Sequence, residues 1–390
     1  MFVELHLIQN FAPSNLNRDE TNAPKDCEFG GYRRARISSQ CIKRAIRTQF
    51  KKDLLLPPEN LAQRTKRLME EVARRVTKEG KDADQARSVV ETALKGAGLG
   101  VKDDGKTEYL LFLGEEEIAA FASLVLEHWG SLCEVIAPTP AEEGAKKSAK
   151  DKKKEAKAAV PPEVTKALAT LLDGGKAADL ALFGRMLADL PEKNIDAASQ
   201  VAHALSTNKV DMEFDFYTAV DDLKPEDSAG ADMMGTVEFN SSCFYRYANV
   251  DLEQLKKNLG GDAELAKKTV EAFIRASVAA IPSGKQNSMA AQNPPSFVFA
   301  VVRESGLWSL ANAFTKPVRP DRDAGLVEKS VDFLENYWSK LVEVYGDSAI
   351  KAKPAISLTD QDLKVLSRAK NLNALVEQVM SAVSFKEAAS

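Results

Sequence analysis

A chain of 390 residues with 44% apolar content and a net charge of −4 is too long for one simple core and reads as a globular protein of two or three subdomains. No apolar run reaches the roughly eighteen residues of a membrane span, and the start MFVELHLIQN carries Glu4 and His6 where a secretory signal would be apolar, so a cytoplasmic protein is expected. The overall acidity excludes a loose, charge-driven nucleic-acid coat, and the four scattered cysteines, Cys27, Cys41, Cys133 and Cys243, read as reduced thiols.

Residues 2–8 alternate, with Val3, Leu5 and Leu7 on one side and Glu4, His6 and Ile8 on the other, which predicts a strand ending near Gln9-Asn10. His6 is expected to pack in the sheet. The next segment, FAPSNLNRDETNAPKD, has the Asn, Pro, Asp and Ser content of an irregular loop and carries Arg18 and Lys25.

The stretch FGGYRRARISSQCIKRAIRTQFKK, residues 29–52, holds eight Lys and Arg and no Asp or Glu. Gly30-Gly31 lets the backbone turn sharply before Tyr32. Ser38-Ser39 can cap a helix with Ile42, Ala45, Ile46 and Phe50 on one face and Gln40, Lys43, Arg44, Arg47 and Lys51 on the other. A solvated face would explain the helix alone, but Arg33, Arg34 and Arg36 lie upstream of it, where amphipathic patterning gives no reason for them. A helix start with outward N–H groups beside cations is a phosphate cradle, so this segment is the expected polyanion site.

After Leu56-Pro57-Pro58 the character turns helical: 60–78, 84–94, 115–129 and 163–190, the last with Leu168, Leu171, Leu172, Leu180, Leu182 and Met186 as core candidates. Between them, residues 138–162 have almost no apolar side chain larger than Ala and read as a mobile, solvated excursion. Residues 58–190 therefore look like a helical insertion between parts of a sheet. Two aromatic and β-branched segments around Phe214–Tyr217 and Val237–Tyr247, joined by a polar loop, predict a projecting two-stranded arm. A helix over 262–280, the central strand SFVFAVVRE, and helices over 325–344 and 360–382 complete the chain.

Catalytic signals are weak. His6, His128 and His203 share no metal-ligand spacing, and each reads as structural. Ser283-Gly284-Lys285 fails as a P-loop because Ala279 and Gln286 stand where that motif needs Gly and a hydroxyl, although the loop with Lys285 and Gln286 can still meet a nucleic-acid backbone. Asp26 is the one acid to single out, because it lies within the basic surface, and pairing with a neighbouring cation or closing a turn is its expected role. No catalytic residue, metal or cofactor is expected.

Several blocks resemble one family in the same order: Ile8-Gln9-Asn10, Pro13–Asp19, Pro24-Lys25-Asp26 and Phe29–Gln40, then Val201–Thr207, Tyr217–Leu223, Phe244–Asn249 and Pro282–Ser288. They resemble the CasC-type backbone subunit of type I-E CRISPR surveillance complexes, known as Cascade. The resemblance implies an α+β fold with an RRM-like (ferredoxin-like) palm, a large helical fingers insertion and a β-hairpin thumb. The parts would be the palm at 1–57 and 241–390, fingers at 58–190 and thumb at 199–240. It implies a noncatalytic subunit that lines up head to tail with further copies along a CRISPR RNA, grips its backbone, kinks it periodically and presents its bases to target DNA beside other Cascade subunits. Arg18, Lys25, Lys43, Arg44 and Arg47 would contact guide phosphates, supported by Ser38 and Gln40. Met234 or Met233 would wedge against a displaced nucleotide. Two other readings stand beside it: an acid-dependent endoribonuclease like type III backbone proteins, through Asp26, and a stand-alone RRM-like RNA chaperone, for which no RRM aromatic signature is found.

Overall fold

The computed structural model describes residues 1–136, 160–187, 190–219 and 233–385. They divide into two compact units, one of Met1–Leu55, Ser199–Glu253 and Lys267–Ser390, the other of Leu56–Ala198 and Gln254–Ala266. The tract 138–159, the arm's connecting loop 220–232 and Val220 lie outside the described residues.

The first unit opens with β1 (Phe2–Ser14), longer than its alternation predicts. Phe11 buries its ring, and the register shifts between Phe11 and Ser14 because Pro13 has no N–H for the ladder, so the strand continues past a bulge. Both faces of β1 are covered. Glu4 and His6, which alternation alone would turn outward, are fully buried. Glu4 accepts from Arg303 at 3.1 Å, the Tyr247 hydroxyl at 2.7 Å and the Trp308 N–H at 2.8 Å, while His6 Nδ1 meets the Tyr245 hydroxyl at 2.9 Å. Polar side chains tolerate such burial when each finds a partner. β2 (Asp26–Phe29) and β3 (Tyr32–Ile37) follow as a hairpin, then α1 (Ser39–Lys52), which seals Ile42, Ile46 and Phe50 inside. Burying each of those side chains stabilises by about 1.5–3 kcal/mol.

The second unit is mostly helical, but it contains a two-stranded sheet that periodicity missed: β4 (Ala62–Thr65) pairs antiparallel with β5 (Leu111–Gly114). Its helices are α2 (Leu68–Lys78), α3 (Ala83–Gly96), α4 (Glu115–Glu127), α5 (Trp129–Ile136), α6 (Pro162–Leu171) and α7 (Ala178–Phe183). The expected helix over 60–78 thus begins only at Leu68, and the one over 163–190 breaks at Gly174-Gly175, both with positive φ. Leu172, Leu180 and Leu182 are core residues as expected, whereas Met186 is 82% exposed. Next to it, Arg185 is buried and donates to both oxygens of Glu117, which also accepts from the N–H groups of Gly114 and Gly174. This ion pair ties three segments of the unit together. Among the described residues no single helix is long and apolar enough to cross a membrane.

The chain returns to the first unit through β6 (Ser199–Val201) and β7 (Ala204–Ser206), both in the main sheet rather than the arm. The arm is β8 (Glu213–Ala219) against the start of β9 (Met233–Asp251), in register from Glu213↔Phe239 to Ala219↔Met233. Then come α8 (Leu252–Asn258) and α9 (Ala263–Ala279), of which Gln254–Ala266 belongs to the second unit, the single turn α10 (Gln286–Met289) and β10 (Phe297–Arg303). β10 is buried throughout, as a central strand should be. α11 (Leu326–Tyr345), β11 (Ile350–Ala352), β12 (Pro354–Ser357), β13 (Ser367–Arg368) and α12 (Leu372–Ala382) close it. The helix expected from 360 starts twelve residues later, because Asn371 caps it through the Ala374 N–H and Ser367–Arg368 pairs in parallel with β12 instead.

These strands form one mixed sheet ordered β13-β12-β10-β1-β9-β7-β3-β2, with β11 on β10 and β6 and β8 on β9. The fold is α+β. Trp338 and Leu334 of α11 pack on Ile8, Tyr245, Phe297 and Phe299 to make the core of one face. The basic hairpin and the arm's root are thereby held on one continuous framework.

Candidate nucleic-acid interface

The hairpin β2–β3 turns on Gly30 and Gly31, with φ of +63° and +78°, the pattern of a two-residue type I′ turn. A Cβ at Gly30 would also strike the Thr315 carbonyl, so the turn lies flat on that segment. Its three arginines have three different fates. Arg33 is exposed and forks onto one oxygen of Asp26, Nε at 2.8 Å and Nη2 at 2.6 Å. Arg36 is half-buried, with Nε 3.3 Å from the Asp26 carbonyl.

Arg34 corrects the sequence reading. It is completely buried, donating to the carbonyls of Ser206, Thr207, Phe314 and Thr315 at 2.6–3.2 Å, with the Phe29 and Tyr32 rings within 6.0 Å of the guanidinium. Burial lowers its pKa. It is a cross-link of the fold, its side chain closed off from the surface.

The helix start is a second correction. Ser38 caps α1, its Oγ accepting from Cys41 N–H at 3.4 Å, and its own N–H goes to Asn17 Oδ1 at 2.7 Å. Ser39 N–H goes to His203 Nδ1 at 2.9 Å, and Ile42 N–H to the Ser38 carbonyl. The first-turn donors are thus largely taken by protein acceptors rather than left open for phosphate. The cationic face remains. Gln40, Arg44, Lys51 and Lys52 are exposed and Lys43 and Arg47 half-buried, and the first turn holds no acid.

Around the hairpin, Lys25, Arg33 and Arg36 meet Asp19, Asp26, Met212 and Glu238 at a cavity of about 300 Å³. Lys25 N–H bonds to the Asn17 carbonyl, and exposed Arg18 lies 3.5 Å from Asn22 Oδ1. Asn15, buried, donates to the carbonyls of Asn22 and Glu238, tying the loop to the arm's root. The loop carrying Lys285 comes to the same place: a Cβ at Gly284 would collide with the Leu16 carbonyl, and Lys285 has φ +49°. Gln286 is a brace, its amide donating to the carbonyls of Pro282 and Ala291 and accepting from Gln292.

On the arm, the pairing Thr218↔Met234 and Phe216↔Thr236 puts Phe214, Phe216 and Met234 on one face. All three are more than 60% exposed. Met233 pairs with Ala219 at the arm's described limit. Neither the exposed aromatic pair nor His203 was singled out in the sequence as a contact. Alternation of Phe214 and Phe216 in a segment with no core partner was the available signal.

Two chains of known structure resemble this one along its length. The first, from "CRISPR RNA-guided surveillance complex, pre-nicking", is 33% identical with a TM-score of 0.83, covering 98% of this chain and all of its own. The second, from "CRISPR RNA-guided surveillance complex", is 28% identical with a TM-score of 0.73 over the same shares. No curated protein sequence matches. The family described as CT1975-like protein matches residues 3–381, and with nearly every residue of both units inside that match, the chain belongs to the CT1975-like family.

Proposed function

We propose that this protein is the RNA-binding backbone subunit of a type I-E, Cascade-type surveillance complex, coating a CRISPR RNA so that its bases stay available for target DNA. The observation that carries the reading is the basic loop, hairpin and helix, exposed at Arg18, Arg33, Gln40, Arg44, Lys51 and Lys52, on a chain whose net charge is −4. The full-length likeness to subunits of CRISPR RNA-guided complexes supports it. Cations without base-reading groups grip any spacer alike and leave sequence to base pairing. The first unit would serve as an RRM-like palm, the second as fingers and the arm as thumb. Phe214, Phe216 and Met234 supply apolar surface on which a base can stack or be displaced. Copies would follow one another head to tail along the guide, since only a heterologous contact propagates. The protein would work in the cytoplasm.

The subunit is read as noncatalytic, because Asp26, the candidate acid in the basic surface, is engaged by Arg33. Two measurements test the whole reading. Purified complex should carry guide RNA, and reversing the charges of Lys43, Arg44 and Arg47 together should abolish its retention. Complementary RNA incubated with the complex and magnesium should stay intact. Cuts at even intervals, lost in Asp26→Asn, would assign an endoribonuclease instead.

A further inference from the structure

His203 sits where three parts of the interface meet. The register Ile37↔Ala204 sets it opposite the step from β3 into α1, and its Nδ1 accepts the Ser39 N–H at 2.9 Å. A neutral imidazole has one donor and one acceptor nitrogen, so an accepting Nδ1 places the proton on Nε2. The residue is exposed, and among the described residues no protein group takes the Nε2 proton. Partial burial first, then the positive charges of Arg36 and Lys25, hold the ring's pKa below the usual histidine value. Protonating Nδ1 would also set a second proton against the Ser39 N–H and break the cap. The ring is therefore kept neutral and in one tautomer by the fold, within the electrostatic reach of Arg36 and Lys25. Capping α1 needs only Nδ1, and an Asn at this position could do that alone.

We propose that His203 is a nucleic-acid contact, its Nε2–H donating to a phosphate oxygen of the RNA held by the basic surface. The inference rests on the RNA-binding reading above. The contact differs in kind from those of the lysines and arginines, because it adds a directed hydrogen bond without releasing a counterion.

The test is a titration of the full-length protein with a labelled single-stranded RNA of mixed sequence, over a series of salt concentrations. His203→Asn keeps an acceptor near Nδ1 and removes the outer donor. It should bind about three- to tenfold more weakly with an unchanged salt slope and unchanged melting temperature. His203→Gln, which keeps a donor near Nε2 and loses the cap, should bind more tightly than His203→Asn. The reverse order assigns the ring to capping alone and overturns the proposal, as does equal affinity of wild type and His203→Asn. Arg44→Ala serves as the reference for the underlying reading, with weaker binding and a shallower salt slope. If Arg44→Ala loses affinity and His203→Asn does not, the His203 contact alone falls; if the wild type binds no RNA, the RNA-binding reading falls with it.

Discussion

Arg34 and Arg44 are both basic residues of one short segment, and burial gives them opposite jobs. Replacing Arg34 by Met takes the guanidinium from four backbone carbonyls; Thr207 keeps the Val318 N–H and Thr315 is exposed, but the buried Ser206 and Phe314 carbonyls lose it, each orphaned acceptor costing about 1–3 kcal/mol. Arg34→Met should therefore lose at least about 2 kcal/mol in denaturant unfolding. Arg44→Ala should leave unfolding within about 0.5 kcal/mol of wild type, since it alters only an exposed side chain. A stable Arg34→Met protein with weakened RNA binding would show that Arg34 reaches the surface. His6 supplies a second residue-level prediction. Complete burial lowers its pKa from 6.5 to about 3, with a smaller push from Arg303. Between those values the unfolded chain binds a proton that the folded one refuses, so stability is full above the unfolded pKa and falls by up to about 1.4 kcal/mol per pH unit below it. Melting temperature should accordingly drop as pH falls from 6.5 toward 5, and His6→Phe, which keeps a ring against Phe299, should flatten that slope. Equal slopes would remove His6 as the cause.

Elements show where local pattern sufficed. The helix α1 ends on its apolar and cationic faces as the spacing requires, because an isolated run of i, i+4 positions already separates Ile42, Ile46 and Phe50 from Lys43, Arg44 and Arg47. The β4–β5 pair escaped notice because its strands are four residues each and one of them, Ala62–Thr65, is largely polar. The arm carries its own prediction. Every residue of β8 is exposed, so Phe214→Ser with Phe216→Ser removes no core contact and should leave the melting temperature within a few degrees of wild type. The same variant should reduce guide loading or target DNA pairing, measured by gel shift of the assembled complex. Unchanged pairing would show that these rings serve neither.

For the whole molecule, the segregation of charge was legible at once: residues 29–52 hold eight cations without an acid in a chain with net charge −4. So were the sharp turn at Gly30-Gly31, the α1 cap at Ser38 and the buried strand β10, since each depends on neighbours a few residues away. Tertiary structure alone decided which cations remain available. Arg34 turns inward because Ser206, Thr207, Phe314 and Thr315 arrive from far along the chain with carbonyls that accept its donors. Gly284 must stay bare because the Leu16 carbonyl lies against it, and His203 reaches Ser39 only through the pairing of β3 with β7. Periodicity reports the neighbours a residue has in its own element, whereas hydrogen-bond partners brought from distant segments exist only once the sheet has closed.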